Sequence, residues 1–388
     1  MTKGLQGVLG ALAVCCALGT GVAAAEEGLD VGREGLRYRT DSLDVNLGGR
    51  LHLDAAQVDD TGVSVDDEEV RRARLELSVR FFDDWRFRLD REFTNGGGWR
   101  NVWLSYDVND DFTIKAGNFI APFSMEDVGS SNDTMFMERS LAQALAPGFG
   151  VGVGGSYEGR HFALSGGYFD DAIDAEDNIQ AEKGHGIAMR GSWSPLERRD
   201  NTLHFGVGLD RREFDSGSSR LISSGPEASL APTVVTTGTL ANIDTSMSYN
   251  VEAAYSMGPV LLQGQFISSS LEPSVGADLT LDGYYAQVGW IVTGERYNYG
   301  DAAGVFRGPN PRGDWGALEL AARLSSLDLS EAGAGASGVA DNYTFGANWY
   351  IGRNFRLMGN FVHSEVDAVN PLLDRDVDVV EARAQLDF

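Results

Sequence analysis

The sequence predicts an all-β protein, a transmembrane antiparallel β-barrel of about 16 strands with one loop folded inward as a constriction. Polar and apolar residues alternate along segment after segment, which is the pattern of strands with two different faces. The links between these segments are mostly tight on one rim, the short-turn rim, and mostly long on the other, the long-loop rim. The 49 glycines also favour strands and turns, since glycine is poor in helix interiors.

Residues 1–25 are expected to form a secretory signal peptide. Lys3 is the only charged residue among them, and an apolar stretch of small residues ends in three alanines that suit cleavage. An uncleaved membrane anchor is the alternative, which glycines and a glutamine within the stretch disfavour. The mature chain, residues 26–388, is then one barrel domain without disulfides, since Cys15 and Cys16 both lie in the leader.

The alternation divides the mature chain into sixteen expected strands. It is clearest in residues 72–81, where apolar residues share one face and polar residues, three of them arginines, share the other. In a soluble sandwich the apolar face points inward, whereas in a membrane barrel the polar face lines the lumen. The expected strands are 43–58, 69–82, 84–94, 98–108, 111–119, 149–158, 160–169, 184–195, 201–213, 246–257, 259–270, 281–294, 314–328, 340–351, 353–366 and 377–388.

Three features favour the membrane barrel over the sandwich. The loop lengths differ between the two rims, aromatic residues lie near strand ends, and the chain ends on Phe388 inside an expected strand. The link 295–313 is an exception, because it is nineteen residues long and lies on the short-turn rim. Barrels of about this strand number enclose an aqueous channel rather than a packed core, so the fold predicts a pore.

The link 120–148 is expected to fold into the lumen as the constriction loop. Its phenylalanine, methionine, leucine and proline residues make it too apolar for a loop in water. In general porins the third long loop narrows the lumen in this way, and this is the third link of the long-loop rim. Residues 135–146 are expected to form a short helix with Glu138 and Arg139 on its polar side. A loop that latches subunits together is the alternative.

Basic residues on the polar faces predict a pathway for anions. A ladder of positive charge in a narrow pore attracts anions, and the arginine fork suits phosphate because it can hold two oxygens at once. The alternative is that these arginines neutralise lumenal acids such as Glu76, Asp90 and Glu92. The expected lumenal cations are Arg72, Arg74, Arg80, Arg86, Arg88 and Lys115.

The charge balance argues against nucleic acid as a partner. The chain has 57 Asp and Glu against 31 Lys and Arg, a net charge of −26, and without Lys3 the balance of 30 against 57 is −27. Motifs of hydrolases, zinc proteases and phosphate-binding loops are absent, so we expect neither an enzyme nor a cofactor or metal site. Acidic residues concentrate at the first and fourth expected loops, at positions 59, 60 and 66–69 and between positions 170 and 177. These loops are expected to be solvated, and binding of lipopolysaccharide through divalent cations is the alternative.

Six segments in order resemble the OprO/OprP family of phosphate- and polyphosphate-selective porins. They are VRRARL at 70–75, GNFIAPFS at 117–124, FMERSL at 136–141, APG at 146–148, TGE at 293–295 and GALELAAR at 316–323. The resemblance covers nearly all of the mature chain. It implies a homotrimer of sixteen-stranded barrels in which an arginine ladder leads anions to a central constriction.

The resemblance also implies roles for single residues. Arg71, Arg72 and Arg74 would form part of the anion site, and Arg139 would lie in the constriction loop. Phosphate-selective members commonly carry lysine where this chain has Ile120. We therefore expect an outer-membrane porin, embedded in lipid and lipopolysaccharide, for passive diffusion of small anions such as phosphate. A pore without anion selectivity, and a non-conducting barrel whose link 214–245 serves as an adhesin or anchor, are the alternatives.

Overall fold

The computed structural model describes residues 28–32, 35–94, 96–173, 184–198, 200–300, 303–333 and 335–388, so the expected signal peptide lies outside the described residues. The strands in chain order are β1 (Gly28–Gly32), β2 (Gly35–Arg39), β3 (Leu43–Asp60), β4 (Val63–Phe81), β5 (Trp85–Glu92), β6 (Gly98–Asp107), β7 (Phe112–Ile120), β8 (Phe149–Glu158), β9 (Phe162–Asp170), β10 (His185–Arg198), β11 (Asn201–Glu213), β12 (Ser219–Ser224), β13 (Val235–Ala241), β14 (Ile243–Met257), β15 (Val260–Pro273), β16 (Leu279–Ile291), β17 (Asn298–Gly300), β18 (Val305–Arg307), β19 (Ala317–Asp328), β20 (Gly338–Tyr350), β21 (Phe355–Ala368) and β22 (Arg375–Asp387). Helical structure among the described residues is limited to α1 (Met125–Val128) and the 3-10 turns Leu141–Leu145, Ser330–Ala332 and Pro371–Leu373. None of these described helices is long and apolar enough to cross a membrane.

The main sheet closes into a barrel. Eighteen strands belong to it, and without the hairpin β1–β2, which extends the edge of β3, sixteen strands form the wall. Every wall strand is antiparallel to the next, and β22 closes the barrel by pairing with β3, from Val377 opposite Asp60 to Asp387 opposite Arg50. Each of the sixteen strands expected from the alternation is present. The prediction of an all-β transmembrane barrel is confirmed.

The wall is polar inside and apolar outside, which is the reverse of a soluble sandwich. In β14, Ser248, Asn250 and Glu252 point into the lumen and are buried, whereas Tyr249 and Val251 are exposed on the outer face. Alternate side chains of a strand point to opposite faces, so the sequence pattern alone produces this division. The apolar outer band is the surface that lipid covers.

The first link of the long-loop rim is shorter than expected. Residues 59–68 were expected to form an acidic loop, but β3 and β4 continue through them and only Thr61 and Gly62 form the turn, both with positive φ. Asp66 and Asp67 therefore lie within β4, exposed to solvent. The expectation of a loop was wrong because the alternation ends where the strands leave the membrane, whereas their hydrogen-bonded pairing continues.

The expected helix over residues 135–146 is reduced to the 3-10 turn Leu141–Leu145. The wall captures the carbonyl groups that such a helix would use: Asn348 Nδ2 donates to the Met135 carbonyl at 2.7 Å, and Arg383 Nη1 donates to the Met137 carbonyl at 2.5 Å. Tertiary hydrogen bonds thus replace the helical ones. The segment itself does fold into the barrel, as expected.

Three insertions occupy part of the lumen. The constriction loop, residues 121–148 because β7 continues through Ile120, and the hairpin β12–β13 enter from the long-loop rim. Residues 292–300 and 303–316, between β16 and β19, enter from the short-turn rim. The buried apolar core lies among them, inside the barrel: Leu141 and Leu145 of the constriction loop pack with Ile222 and Val235 of the hairpin. These insertions therefore leave only part of the lumen open.

Candidate functional site

Glu138 is the charged anchor of the constriction loop. Its carboxylate accepts hydrogen bonds from Arg71 Nε at 2.8 Å, from Arg71 Nη2 at 2.9 Å and from Arg383 Nη2 at 2.8 Å. Arg383 also binds both oxygens of Asp54 at 2.7 Å. Burial alone would raise the pKa of Glu138, but the two guanidinium groups hold it well below its ordinary value. The loop is thus fixed to β4 and β22 by charge-assisted hydrogen bonds.

The hairpin β12–β13 covers the constriction loop from the long-loop rim. Glu227, between its strands, is buried and pairs with Arg323 of the wall at 2.6 Å. The same carboxylate accepts the backbone N–H of Leu141 at 2.9 Å and the hydroxyl of Thr344 at 3.1 Å. The Ser-, Thr- and Gly-rich link that contains this hairpin is therefore held inside the mouth.

The insertion between β16 and β19 is held by a buried polar cluster. Arg190 Nε donates to Glu252 at 2.9 Å, and its Nη1 donates to the Ala303 carbonyl of the insertion at 2.6 Å. His204 lies 3.1 Å from the same carboxylate and 2.8 Å from the hydroxyl of Tyr299. This insertion, the one long link expected on the short-turn rim, is thus folded inward and narrows the lumen from that rim.

A cavity of about 660 Å³, the central cavity, remains between the constriction loop and strands β3–β10. Nine basic side chains line it against two acidic ones, Asp90 and Asp127, so its lining is strongly positive. The basic residues are Arg50, Arg71, Arg72, Arg74, Arg88, Arg100, Lys115, Arg139 and Arg190.

A β-bulge explains why neighbouring arginines both face the lumen. His52 is opposite Arg72 and the next residue, Leu53, is opposite Val70, so Arg71 is an extra residue in β4. Val70 is exposed on the outer face, whereas Arg71 reaches lumenal Glu138. Without the bulge, strict alternation would point one of the two arginines into lipid.

Three of the expected cations have no carboxylate partner within the described ranges. The Nε of Arg72 is buried without a hydrogen bond. Arg139 donates instead to the backbone carbonyls of Glu126 at 2.9 Å and Gly129 at 3.0 Å, and Lys115 lies against aromatic rings. None of the three is bound to a carboxylate in these ranges, so their charges are less compensated than those of the ion-paired arginines.

Other arginines of the cavity form ion pairs with lumenal acids, which is the alternative that the sequence left open. Arg74 Nε lies 3.3 Å from Glu92, and Arg88 lies 2.5 Å from Glu76 and 2.9 Å from Asp90. Glu76 and Glu92 do not line the central cavity. The paired arginines therefore belong to the lining, whereas these two carboxylates do not.

Two expected cations lie away from the central cavity, at the short-turn rim. Arg80 is exposed and donates to the Asp83 carbonyl at 2.8 Å, and Arg86 pairs with Asp107 at 2.6 Å. Neither lines the cavity. The alternation assigns Arg80 and Arg86 to the same lumenal face as Arg72, but it does not indicate how far along the pore axis each residue lies.

Three arginines of the cavity were not singled out from the sequence. Arg50 and Arg190 occupy lumenal positions of β3 and β10, which the alternation could have indicated. Arg100 could not be found in this way. A second bulge, in which Leu89 pairs with Val102 and Arg91 with Trp99, turns Arg100 towards the lumen.

A closed sixteen-stranded barrel with an inward loop and a charged aqueous cavity defines an outer-membrane porin, a channel protein of the bacterial outer membrane. The fold is similar to that of in-vitro folded OmpT of Vibrio cholerae, with a TM-score of 0.58, 14% identity and coverage of 90% of this chain and 99% of that one. The chain belongs to the family described as "Phosphate-selective porin O and P", whose sequence profile matches residues 45–388.

Individual proteins are also similar to this chain. Porin O of Pseudomonas aeruginosa is 25% identical over 389 aligned positions, which cover 88% of each chain. An uncharacterised protein of Caulobacter vibrioides is 26% identical over 370 positions, with 88% of this chain and 73% of that one covered. The anion-selective porin from Comamonas acidovorans has a similar fold, with a TM-score of 0.57, 15% identity and coverage of 89% and 100%.

Proposed function

We propose that this porin passes small anions, including phosphate, by passive diffusion through the central cavity. The observation that carries the proposal is the lining of nine basic side chains against two acidic ones. In this proposal the anion meets Arg71, Arg72, Arg74, Arg88 and Arg139, with Lys115 beside them. The rim residues Arg80 and Arg86 attract anions at the short-turn mouth. The proposal describes a channel, without a catalytic step or a cofactor.

Phosphate is supported by the arrangement of the arginines of β4. The bulge at Arg71 brings three arginines within four positions of one strand onto the same face. Guanidinium groups bind phosphate oxygens two at a time, so adjacent forks suit an anion with several oxygens. The description of the family also supports phosphate, although the position of its common lysine is occupied by Ile120.

A pore without selectivity is the second candidate, because several arginines are paired with acids. Glu76, Glu92 and Glu138 each bind lumenal arginines. These three carboxylates do not line the central cavity, and Arg72 and Lys115 have no acid partner in the part of the chain that is described. The anion channel is therefore the better supported of the two.

The adhesin or anchor hypothesis has lost the feature that suggested it. The link 214–245 contains the hairpin β12–β13, whose apolar residues Ile222 and Val235 are buried inside the barrel.

We also propose a homotrimer embedded in lipid and lipopolysaccharide, since a similar structure is that of OmpT of Vibrio cholerae in a trimer form.

Reversal potentials in a KCl gradient across a planar bilayer test the anion channel. We expect the wild type to prefer chloride, and Arg72→Gln to reduce that preference about three- to fivefold, since one charge about 6 Å from a passing ion in an aqueous lumen contributes about 0.7–1 kcal/mol. Arg211→Gln is the matched control, because Arg211 is exposed on the outer face and pairs with Glu213 at 2.9 Å. A cation preference of the wild type, or equal effects of the two variants, would contradict the proposal.

A further inference from the structure

The central cavity has a second kind of lining that small inorganic anions do not use. Strands β3 and β4 supply four of its arginines, whereas strands β6–β9 and the ends of the constriction loop supply an apolar surface. This apolar wall contains two aromatic rings that are partly open to the cavity, those of Trp103 and Phe149. Its members are Trp103, Phe119, Ile120, Pro122, Val128, Phe149 and Ala163.

Cations are held against the rings of this wall. The ammonium group of Lys115 lies 4.6 Å from the ring centre of Trp103 and 5.2 Å from that of Phe119. The guanidinium group of Arg100 lies 5.7 Å from the ring centre of Phe149. A ring face attracts a cation without cancelling its charge. Positive charge and aromatic surface therefore lie next to each other along this wall of the cavity.

Glycines keep the adjoining surface flat. Gly154 and Gly167 are opposite each other on the lumenal faces of β8 and β9, where neither sends a side chain into the cavity. A Cβ on Gly154 would lie 2.8 Å from the Gly166 carbonyl oxygen, and one on Gly167 would lie 2.6 Å from that of Val153. The backbones are too close for any larger residue, so this part of the wall stays open.

The two kinds of lining suit one chemical class of anion. An inorganic anion needs hydrogen bonds or water on all sides, and the apolar wall offers it none. A flat organic anion can place its charged group on the arginines and its ring against Trp103 and Phe149, where ring stacking contributes. We propose that the cavity binds aromatic carboxylates and sulfonates in preference to alkyl anions of the same charge. This inference rests on the proposed anion channel and names a substrate class for it.

Block of the chloride current by two sodium salts tests the inference with wild-type protein in planar bilayers. We expect benzenesulfonate to bind about tenfold more tightly than methanesulfonate, as two ring contacts predict. In a pore that sorts anions by size alone, the bulkier benzenesulfonate would bind no better. Equal affinities in a chloride-selective channel would overturn the inference and leave the anion channel standing. A cation-selective wild type would overturn both.

Variants locate the preference. Trp103→Leu and Phe149→Leu each remove one ring while keeping an apolar side chain, and each should weaken benzenesulfonate block about fivefold without changing methanesulfonate block. Trp193→Leu is the matched control, since Trp193 is exposed on the outer face. If Trp103→Leu does not fold, Phe149→Leu alone carries the test. Full benzenesulfonate affinity in Phe149→Leu, or an equal loss in Trp193→Leu, would overturn the assignment to this wall.

Discussion

Replacement of Glu138 by glutamine separates two roles of the constriction loop, its docking and its charge. The side chain accepts three hydrogen bonds from Arg71 and Arg383 at 2.8–2.9 Å. Glutamine keeps the size of the side chain but removes the negative charge and one acceptor atom. The variant therefore leaves two arginines with less compensation beside the pathway. We expect a docked loop and a more anion-selective channel.

Removing one partner of a buried ion pair costs about 3–5 kcal/mol. We expect a loss of docking free energy at the low end, about 3 kcal/mol, because Glu138 and Arg71 keep 17% and 19% of their side-chain surface exposed. Other hydrogen bonds remain. Arg356 donates to the carbonyls of Asn132 and Thr134, and the carbonyls of Met135 and Met137 also have side-chain donors from the wall. Four such bonds contribute about 4 kcal/mol, so the loop should stay in place.

Single-channel recordings measure both effects. We expect the conductance of Glu138→Gln to stay within about twofold of the wild type, and its preference for chloride to rise about three- to fivefold through the loss of one nearby negative charge. Glu272→Gln, at an exposed position of β15, is the matched control and should change neither quantity. A conductance that rises beyond twofold would mean that Glu138 alone holds the loop, and an unchanged selectivity would mean that its charge does not act on the pathway.

The pH dependence of the same pair of proteins follows from the depressed pKa of Glu138. A carboxylate whose folded pKa is lowered stabilises the docked loop fully above its ordinary pKa of 4.5, and this contribution is lost only as the pH falls through the lower, folded pKa. In the docked loop Glu138 keeps its charge down to the lower, folded pKa, so the difference in chloride preference between wild type and Glu138→Gln should stay constant from pH 7 to about pH 4. A difference that disappears between pH 6 and 4.5 would refute the role of the two guanidinium groups.

Two further variants test the packing of the insertions. A Cβ on Gly208 would lie 2.0 Å from the Phe123 carbonyl oxygen, so Gly208→Ala should push the constriction loop towards the cavity at a cost of about 1–3 kcal/mol and lower the conductance. Gly359→Ala is the control, because a Cβ there would lie 3.9 Å from its nearest neighbour and should leave the conductance unchanged. Equal conductances of the two variants would contradict the close approach of Gly208 to the loop. Glu227→Gln should lower the docking free energy of the hairpin β12–β13 by about 3 kcal/mol and speed its limited proteolysis about a hundredfold relative to the control Glu272→Gln. An unchanged rate of proteolysis would show that the buried ion pair does not hold the hairpin.

The wall of this barrel could be predicted from the sequence because each strand carries its own signal. Alternation with a period of two is local, and a wall strand satisfies it without reference to its neighbours. The bulges at Arg71 and Arg100 are different, since an extra residue in one strand is visible only in the pairing with the next. The alternation alone therefore placed Arg72 and Arg74 in the lumen but gave no reason for Arg71 or Arg100 to join them.

The interior of the barrel was harder to predict than its wall. Residues 120–148 were recognised as an inward loop because their apolar composition is extreme. The hairpin β12–β13 carries the same kind of signal in Ile222, Val234 and Val235, diluted by serine, threonine and glycine. The insertion after β16 was marked only by its length. Where these segments come to rest depends on single polar contacts such as those of Glu227 and Glu252, which no local pattern contains.

The net charge of −26 is compatible with a positive pathway because charge acts locally in salt water. Fields of exposed charges are largely screened beyond about 8–10 Å at physiological ionic strength. Asp66, Asp67, Glu365 and Asp378 are exposed beyond the apolar band, separated from the central cavity by the wall and by solvent. The central cavity is governed instead by the side chains that line it, nine basic against two acidic. Selectivity therefore follows from the lining of the pathway rather than from the composition of the chain.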